Sequence, residues 1–96
     1  MEIKFQTDAL RLLFEDSFFR DKDVGIKATK HYRLIVNLIL SAGSRWDLEN
    51  MRFLNLKPPT TEIQHHTADI DEKRILIMDL TDDCAEIVGI LNKELS

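Results

Sequence analysis

The residues best suited to proton transfer are the adjacent pair His65 and His66, since imidazole alone among side chains changes charge near neutral pH without any special setting. If they lie on a strand, neighbouring side chains point to opposite faces, so one turns toward a core and the other toward solvent. Either could serve as a general base, but a single metal ion is not easily shared by two groups facing apart. The cations that could meet an anionic partner are spread more widely. Arg45, Arg52 and Lys57 fall in the first part of the chain, and Arg74 and Lys93 in the second.

Charge distribution sharpens that picture. The net charge is −4. Residues 1–58 carry ten Lys/Arg against eight Asp/Glu, and residues 59–96 carry three against nine. Autonomous nucleic-acid binders gain affinity mainly by neutralising phosphates and are usually basic overall. This balance argues against strong nonspecific binding to RNA or DNA and leaves a mildly basic first half as the anion-facing one. Cys84 is the only cysteine, so no intramolecular disulfide can form and no thiol cluster can hold zinc. No glycine-rich phosphate loop, HExxH, CxxC or GxSxG pattern occurs, and standard cofactor chemistry is unsupported. The start lacks a basic segment followed by an apolar run, and the longest apolar stretch, Leu34 to Leu40, is broken by Asn37, so a cytoplasmic protein is expected.

The elements that must position these groups follow from periodicity. At 96 residues, 44% hydrophobic and 31% charged, the chain has room for one core and one domain, residues 1–96. Met1, Ile3 and Phe5 alternate with Glu2 and Lys4, which predicts a first strand. Thr7 or Asp8 caps a helix whose apolar face is Leu10, Leu13, Phe14 and Phe18, ending near Phe19. Arg20 to Ile26 reads as a connection. A second helix over Lys27 to Ser41 presents Ala28, Tyr32, Ile35, Ile39 and Ala42 as one stripe, widened by Leu34, Val36, Leu38 and Leu40, and Ala42-Gly43-Ser44 offers a left-handed cap.

Trp46 to Met51 reads as a linker, and Arg52 to Lys57 as a second strand closed by Pro58-Pro59. Thr60 to Ala68, Arg74 to Leu80 and Ala85 to Leu91 then form a meander of two hairpins, with turns near Asp69–Glu72 and Thr81–Cys84. Strand, helix, helix and three or four antiparallel strands predict an α+β fold of two layers.

In that order the chain resembles a known family. Ile3-Lys-Phe followed by Leu10-Arg-Leu-Leu-Phe-Glu-Asp16 is similar to the opening of HigB-type toxins. Leu40-Ser-Ala-Gly-Ser-Arg-Trp-Asp-Leu-Glu-Asn50 and Leu54-Asn-Leu-Lys57 resemble its small-residue helix end, Asp-Leu segment and lysine-ended strand. Arg74-Ile-Leu-Ile, an acidic turn and Glu86-Ile-Val resemble the arginine-led strand and last hairpin of RelE, HigB and ParE toxins.

The resemblance implies a RelE-like two-layer domain acting as the toxin of a type II toxin–antitoxin pair, held by a small helix-turn-helix antitoxin. For HigB-like and RelE-like members it implies a ribosome-dependent endoribonuclease that cuts mRNA without metal or other cofactor and blocks translation. The alternatives are a ParE-like inhibitor of DNA gyrase and a domain of this fold that binds a partner without catalysis. Carried over, Arg74 is the transition-state cation and Lys57 a second cation or phosphate clamp, while the base is expected from His65 or His66 on the chemistry of imidazole. Arg45 and Arg52 face RNA. Where HigB toxins commonly close on an Asp-Tyr-His-like segment this chain has Ile90-Leu-Asn-Lys-Glu-Leu-Ser, and Asn92 and Lys93 stand in that place as RNA-contacting groups.

Overall fold

The computed structural model describes residues 1–19 and 24–93. Its elements are β1 (Glu2–Phe5), α1 (Asp8–Glu15), α2 (Gly25–Ser41), α3 (Arg45–Glu49), a short 3₁₀ turn (Arg52–Leu54), β2 (His66–Asp69), β3 (Arg74–Leu80) and β4 (Cys84–Asn92). The strands form one mixed sheet in the order β1-β4-β3-β2. The result is an α+β architecture with the helices on one face of the sheet.

The stripe expected on α2 is the centre of the core. Ala28, Tyr32, Ile35, Val36 and Ile39 are buried, against Leu76, Met78, Ala85 and Ile87 from β3 and β4 and Leu13 from α1. Leu34 and Leu40 remain exposed, so the apolar face is narrower than the sequence suggests. Two side chains of α2 reach across to α1. The Tyr32 hydroxyl donates to the Leu10 carbonyl at 2.8 Å, and its burial pushes the phenol's ionisation far up. Arg33 donates from Nε to the Leu13 carbonyl and from Nη2 to the Asp16 carbonyl, each at 2.9 Å, meeting C-terminal carbonyls that have no partner inside the helix.

Those contacts explain why α1 ends at Glu15 and does not run on to Phe19. Thr7 caps its start by accepting from the Leu10 amide. At its end Asp16 is extended, its carboxylate accepts from the Phe18 amide, and Phe18 is 88% exposed with no face to bury. Of the expected connection, residues 20–23 lie outside the described residues; α2 begins at Gly25, two residues ahead of the expected start, with Gly25 at φ +83°.

Three expectations are corrected in the middle of the chain. α2 ends with Ala42 in extended geometry and not in a left-handed cap. The expected linker is helical: Ser44 caps α3 by accepting from the Asp47 amide, the Asp47 carboxylate accepts from the Gly43 amide, and Leu48 is fully buried. The expected strand from Arg52 to Lys57 is a 3₁₀ turn followed by Asn55 in the left-handed region (φ 48°), which one strand cannot accommodate. The inside-outside alternation survives the change, since Leu54 is buried while Phe53 is 70% exposed. Only Lys57 retains sheet pairing, through an isolated antiparallel bridge to Thr67.

The meander forms as expected, although its first strand is confined to His66–Asp69. β2 pairs antiparallel with β3, and β3 with β4, with a bulge between Ile77 and Met78 that leaves Val88 unmatched. The sheet is not wholly antiparallel, because β1 lies parallel to β4, with Ile3 opposite Ala85 and Phe5 opposite Ile87. No tight turn links these two strands; almost the whole chain separates them, so nothing imposes antiparallel pairing.

Removing the Tyr32 hydroxyl deletes one tie between the helices while leaving their apolar packing in place. Tyr32→Phe is expected to lower stability by about 1 kcal/mol, read as a lower urea midpoint with unchanged slope.

Candidate functional site

Sheet register decides which candidate residues can act together. Alternation places His66, Ala68, Arg74, Leu76, Met78, Ile87 and Asn92 toward the helices, through the pairs His66–Met78, Ala68–Leu76 and Arg74–Asn92. It places Thr67, Asp69, Ile75, Ile77, Asp79 and Leu91 on the opposite, open face. Lys57 bridges Thr67 and so joins the open face.

On that face the segment from Lys57 to His65 folds over the sheet and encloses a groove of about 500 Å³. Four expected site residues line it: Lys57, His65, Asn92 and Lys93. The floor is apolar, built from Ile75, Leu91 and Ile63, with Pro58 at the edge. The loop is braced by Thr60, whose amide donates to the Ile63 carbonyl at 2.7 Å and whose hydroxyl accepts from the Ile63 amide at 3.1 Å. The backbones of Lys57 and Thr67 exchange two hydrogen bonds at 2.9 and 3.1 Å, which ties the loop to β2.

His65 is held by a residue that sequence reasoning missed. Its Nδ1 bonds Oδ1 of Asp79 on β3, and the imidazole is only about a third exposed. A carboxylate on one ring nitrogen sets the ring's orientation and stabilises the imidazolium that forms when the other nitrogen takes a proton. The pairing follows from the β2–β3 register, which puts His66 opposite Met78 and hence His65 beside Asp79; two residues 14 apart gave no local signal.

The cations in the groove are balanced by carboxylates. Lys93 Nζ lies 3.1 Å from Oδ1 of Asp69, whose other oxygen accepts from Nδ2 of the Asn55 side chain at 2.7 Å. Burial disfavours the Asp69 charge, but the Asn55 hydrogen bond and the nearby Lys93 and Lys57 outweigh it and hold the carboxyl below its usual range. Glu62 also lines the groove. Lys93 contacts Asp69 directly, whereas Lys57 acts on it through its charge.

The remaining candidates lie elsewhere. Arg74 sits on the helix side, where its guanidinium is 3.6 Å from Asp71 and it shares a pocket of about 540 Å³ with Val24 and His31. Burial resists the Asp71 charge too, yet the amides of Lys73 and Arg74, each donating at 2.8 Å, and the Arg74 cation prevail and depress its protonation. Asn92, opposite Arg74, lines both the groove and a smaller helix-side pocket. Arg45, on α3, pairs with Glu49 at 3.6 Å, and Arg52 is exposed on the 3₁₀ turn. The structure therefore does not bring Arg74, Arg45 or Arg52 to the groove.

His66 is the buried member of the pair, at 8% exposure, with Nε2 3.4 Å from Nη2 of Arg45. Burial first and the Arg45 charge second lower its protonation below the ordinary imidazole range, against weaker pulls from Glu49 and Asp79. A neutral imidazole can accept from the guanidinium, so His66 anchors α3 to β2. The third histidine, His31, bonds the Ile70 carbonyl at 3.1 Å. Among the described residues no group of three or more His, Cys, Asp and Glu is placed to hold a metal, and no helix is long and apolar enough to cross a membrane.

The His66 environment carries a pH signature with a definite sign. Its folded-state pKa lies below the unfolded value, so its contribution to stability is complete above pH ~6.5 and is lost as pH falls toward the folded-state pKa. Urea unfolding across this range should show the stability difference between the wild-type chain and His66→Gln shrinking with acidification. A difference independent of pH would mean that His66 protonates equally in both states.

No protein-family model matches this sequence, and no curated protein matches it either.

Proposed function

We propose that this chain is a HigB-like toxin of the RelE/ParE superfamily, paired with a small helix-turn-helix antitoxin, and that it cleaves mRNA on the ribosome in the bacterial cytoplasm. The observation that carries the reading is the open-face groove, where Lys57, His65, Asn92 and Lys93 meet with Asp79 bonded to the His65 ring. The order of a strand, two longer helices and a closing three-stranded meander supports it, although a short third helix and a 3₁₀ turn stand before the meander where the resemblance implies a lysine-ended strand.

Cleavage of an RNA phosphodiester without metal requires removal of a proton from a 2′-hydroxyl, in-line attack on the adjacent phosphorus, and protonation of the departing 5′-oxygen. In the groove the free nitrogen of His65 accepts the 2′-hydroxyl proton while Asp79 steadies the imidazolium. The oxygen–phosphorus bond forms as the bond to the 5′-oxygen breaks, leaving a cyclic phosphate and a 5′-hydroxyl. Lys57 stabilises the added negative charge on the phosphorane, and a groove ammonium supplies the leaving group's proton. Ile75 and Leu91 give a nucleobase an apolar floor. Arg74 is assigned a structural part in this scheme, since it faces the helices and pairs with Asp71.

A second reading, a domain of this fold that binds its partner without cleaving RNA, draws on the carboxylates of Asp69 and Glu62 in the same groove. They oppose phosphate entry and reduce the field of the two lysines.

Expression in a bacterial host, with mapping of mRNA ends on ribosomes, separates the two. The expected result is growth arrest with new 5′-hydroxyl ends, a loss of more than about tenfold for His65→Ala and for Lys57→Ala, and melting temperatures within a few degrees of the parent. Arg74→Ala should instead cost about 1 kcal/mol of stability with cleavage largely retained. Intact mRNA together with co-purification of the helix-turn-helix product of a neighbouring reading frame would favour the binding reading. Intact mRNA with no complex would remove both.

A further inference from the structure

The two edges of the sheet are finished differently. At β2 the outward backbone groups of Thr67 are taken by Lys57, so the chain itself interrupts that edge midway along the strand. At the other end β1 pairs, among the described residues, only with β4. The Glu2 amide donates to the Asp83 carbonyl and the Gln6 amide to the Ile87 carbonyl, each at 2.9 Å, which fixes the alternation: Glu2, Lys4 and Gln6 direct their backbone groups toward β4. Ile3 and Phe5 direct theirs away from the sheet, toward an unpaired edge.

The core is also incomplete there. Met1, Ile3, Phe5, Leu10 and Phe14 pack against it but are only partly buried, and the Phe5 and Phe14 rings stack with centroids 6.0 Å apart at this margin. In the middle of β3 and β4 Leu76, Met78 and Ile87 reach full burial, while Leu80 and Ile90 toward the strand ends are partly buried. An additional strand beside β1 would cover both the free backbone groups and this half-open apolar margin.

From the sequence of the edge we infer that its occupant is β1 of a second copy of the chain, antiparallel and centred on Ile3. In that register Ile3 lies opposite Ile3 of the other copy, and their backbones exchange two hydrogen bonds. Phe5 donates to the Met1 carbonyl across the axis, once in each direction. Glu2 lies opposite Lys4 of the other copy, twice, on the exposed face, while Ile3 turns toward the helix-side layer of both copies. A two-fold axis requires a self-complementary patch, and Glu-Ile-Lys meets that requirement in one register. Sliding the two strands by two residues toward the C-terminus sets Lys4 against Lys4 and loses the charge match. The product is a continuous eight-stranded sheet with the helices of both copies on one face. The open-face groove is lined by the loop before β2 and by β2, β3 and the end of β4, and stays uncovered, so the inference does not depend on what the groove does.

Sedimentation equilibrium and amide hydrogen exchange on the intact chain test this together. The expected result is a concentration-dependent dimer in which the Ile3 and Phe5 amides become protected as the dimer forms. Glu2→Lys places like charges across the axis and should weaken association by at least about tenfold, and Glu2→Lys with Lys4→Glu should restore it. Lys4 also lies opposite Glu86 within the chain, so the melting temperature of each variant, read at a concentration where all are monomeric, separates a pairing defect from loss of fold. A chain monomeric at high micromolar concentration, with Ile3 and Phe5 exchanging freely, overturns the inference. So does a dimer indifferent to Glu2→Lys, and so does protection of these amides only when a different polypeptide is bound.

Discussion

Everything else in this molecule depends on one helix being buried along one stripe. Ala28, Tyr32, Ile35 and Ile39 of α2 lie against the helix-facing residues of β3 and β4, and removing that much apolar surface from water is the dominant favourable contribution to a core of this size. Because the helices cover only one face of the sheet, the other carries a mixture of side chains, with Asp69 and Asp79 beside Ile75 and Leu91. Tyr32 and Arg33 then use the same helix to hold α1, one through a carbonyl within it and the other through carbonyls at its end. The two-layer arrangement thus creates a protected face and an exposed one, and the candidate chemistry lies on the exposed one.

Hydrogen bonds at the margins turn that exposed face into a groove. The Lys57–Thr67 bridge anchors the loop from Lys57 to His65 at its start, and the Thr60–Ile63 turn braces its middle. The same bridge interrupts the β2 edge, whereas among the described residues no second strand pairs with β1. One pair of hydrogen bonds therefore both shapes the groove and makes the two sheet edges unequal.

The electrostatic character of the groove is one of balance. Asp79 on His65 and Asp69 on Lys93 mean that its charges are largely compensated before any ligand arrives, in keeping with the acidic second half of the chain. Such pairing favours orientation over raw attraction: a ring held by a carboxylate is set for proton transfer, whereas long-range capture of a polyanion is weak. On the proposed reading, the groove would therefore take RNA presented by a larger assembly and not free RNA. On the helix side the same logic gives Arg74 and Asp71 a different role, since their pairing closes the turn between β2 and β3.

What the sequence by itself determined is the part governed by local periodicity. Alternation in Met1 to Phe5, the three- and four-residue spacing in α1 and α2, and the apolar run beginning at Arg74 place β1, both long helices and the β3–β4 hairpin. They also settle that His65 and His66 face opposite ways, because that follows from strand geometry alone. Between Ala42 and Lys57 the pattern of inside and outside was legible but the conformation was not. Buried Leu48 and Leu54 suit a short helix and a turn as well as an extended chain, and the choice rested on Ser44 as a cap and Asn55 in the left-handed region. Only tertiary structure decided which charged residues meet. Asp79 reaches His65, and Arg74 is parted from Lys57, because of strand register and the parity of each residue along its strand. Register is set by long-range pairing, and a shift of one residue would move every side chain to the other face.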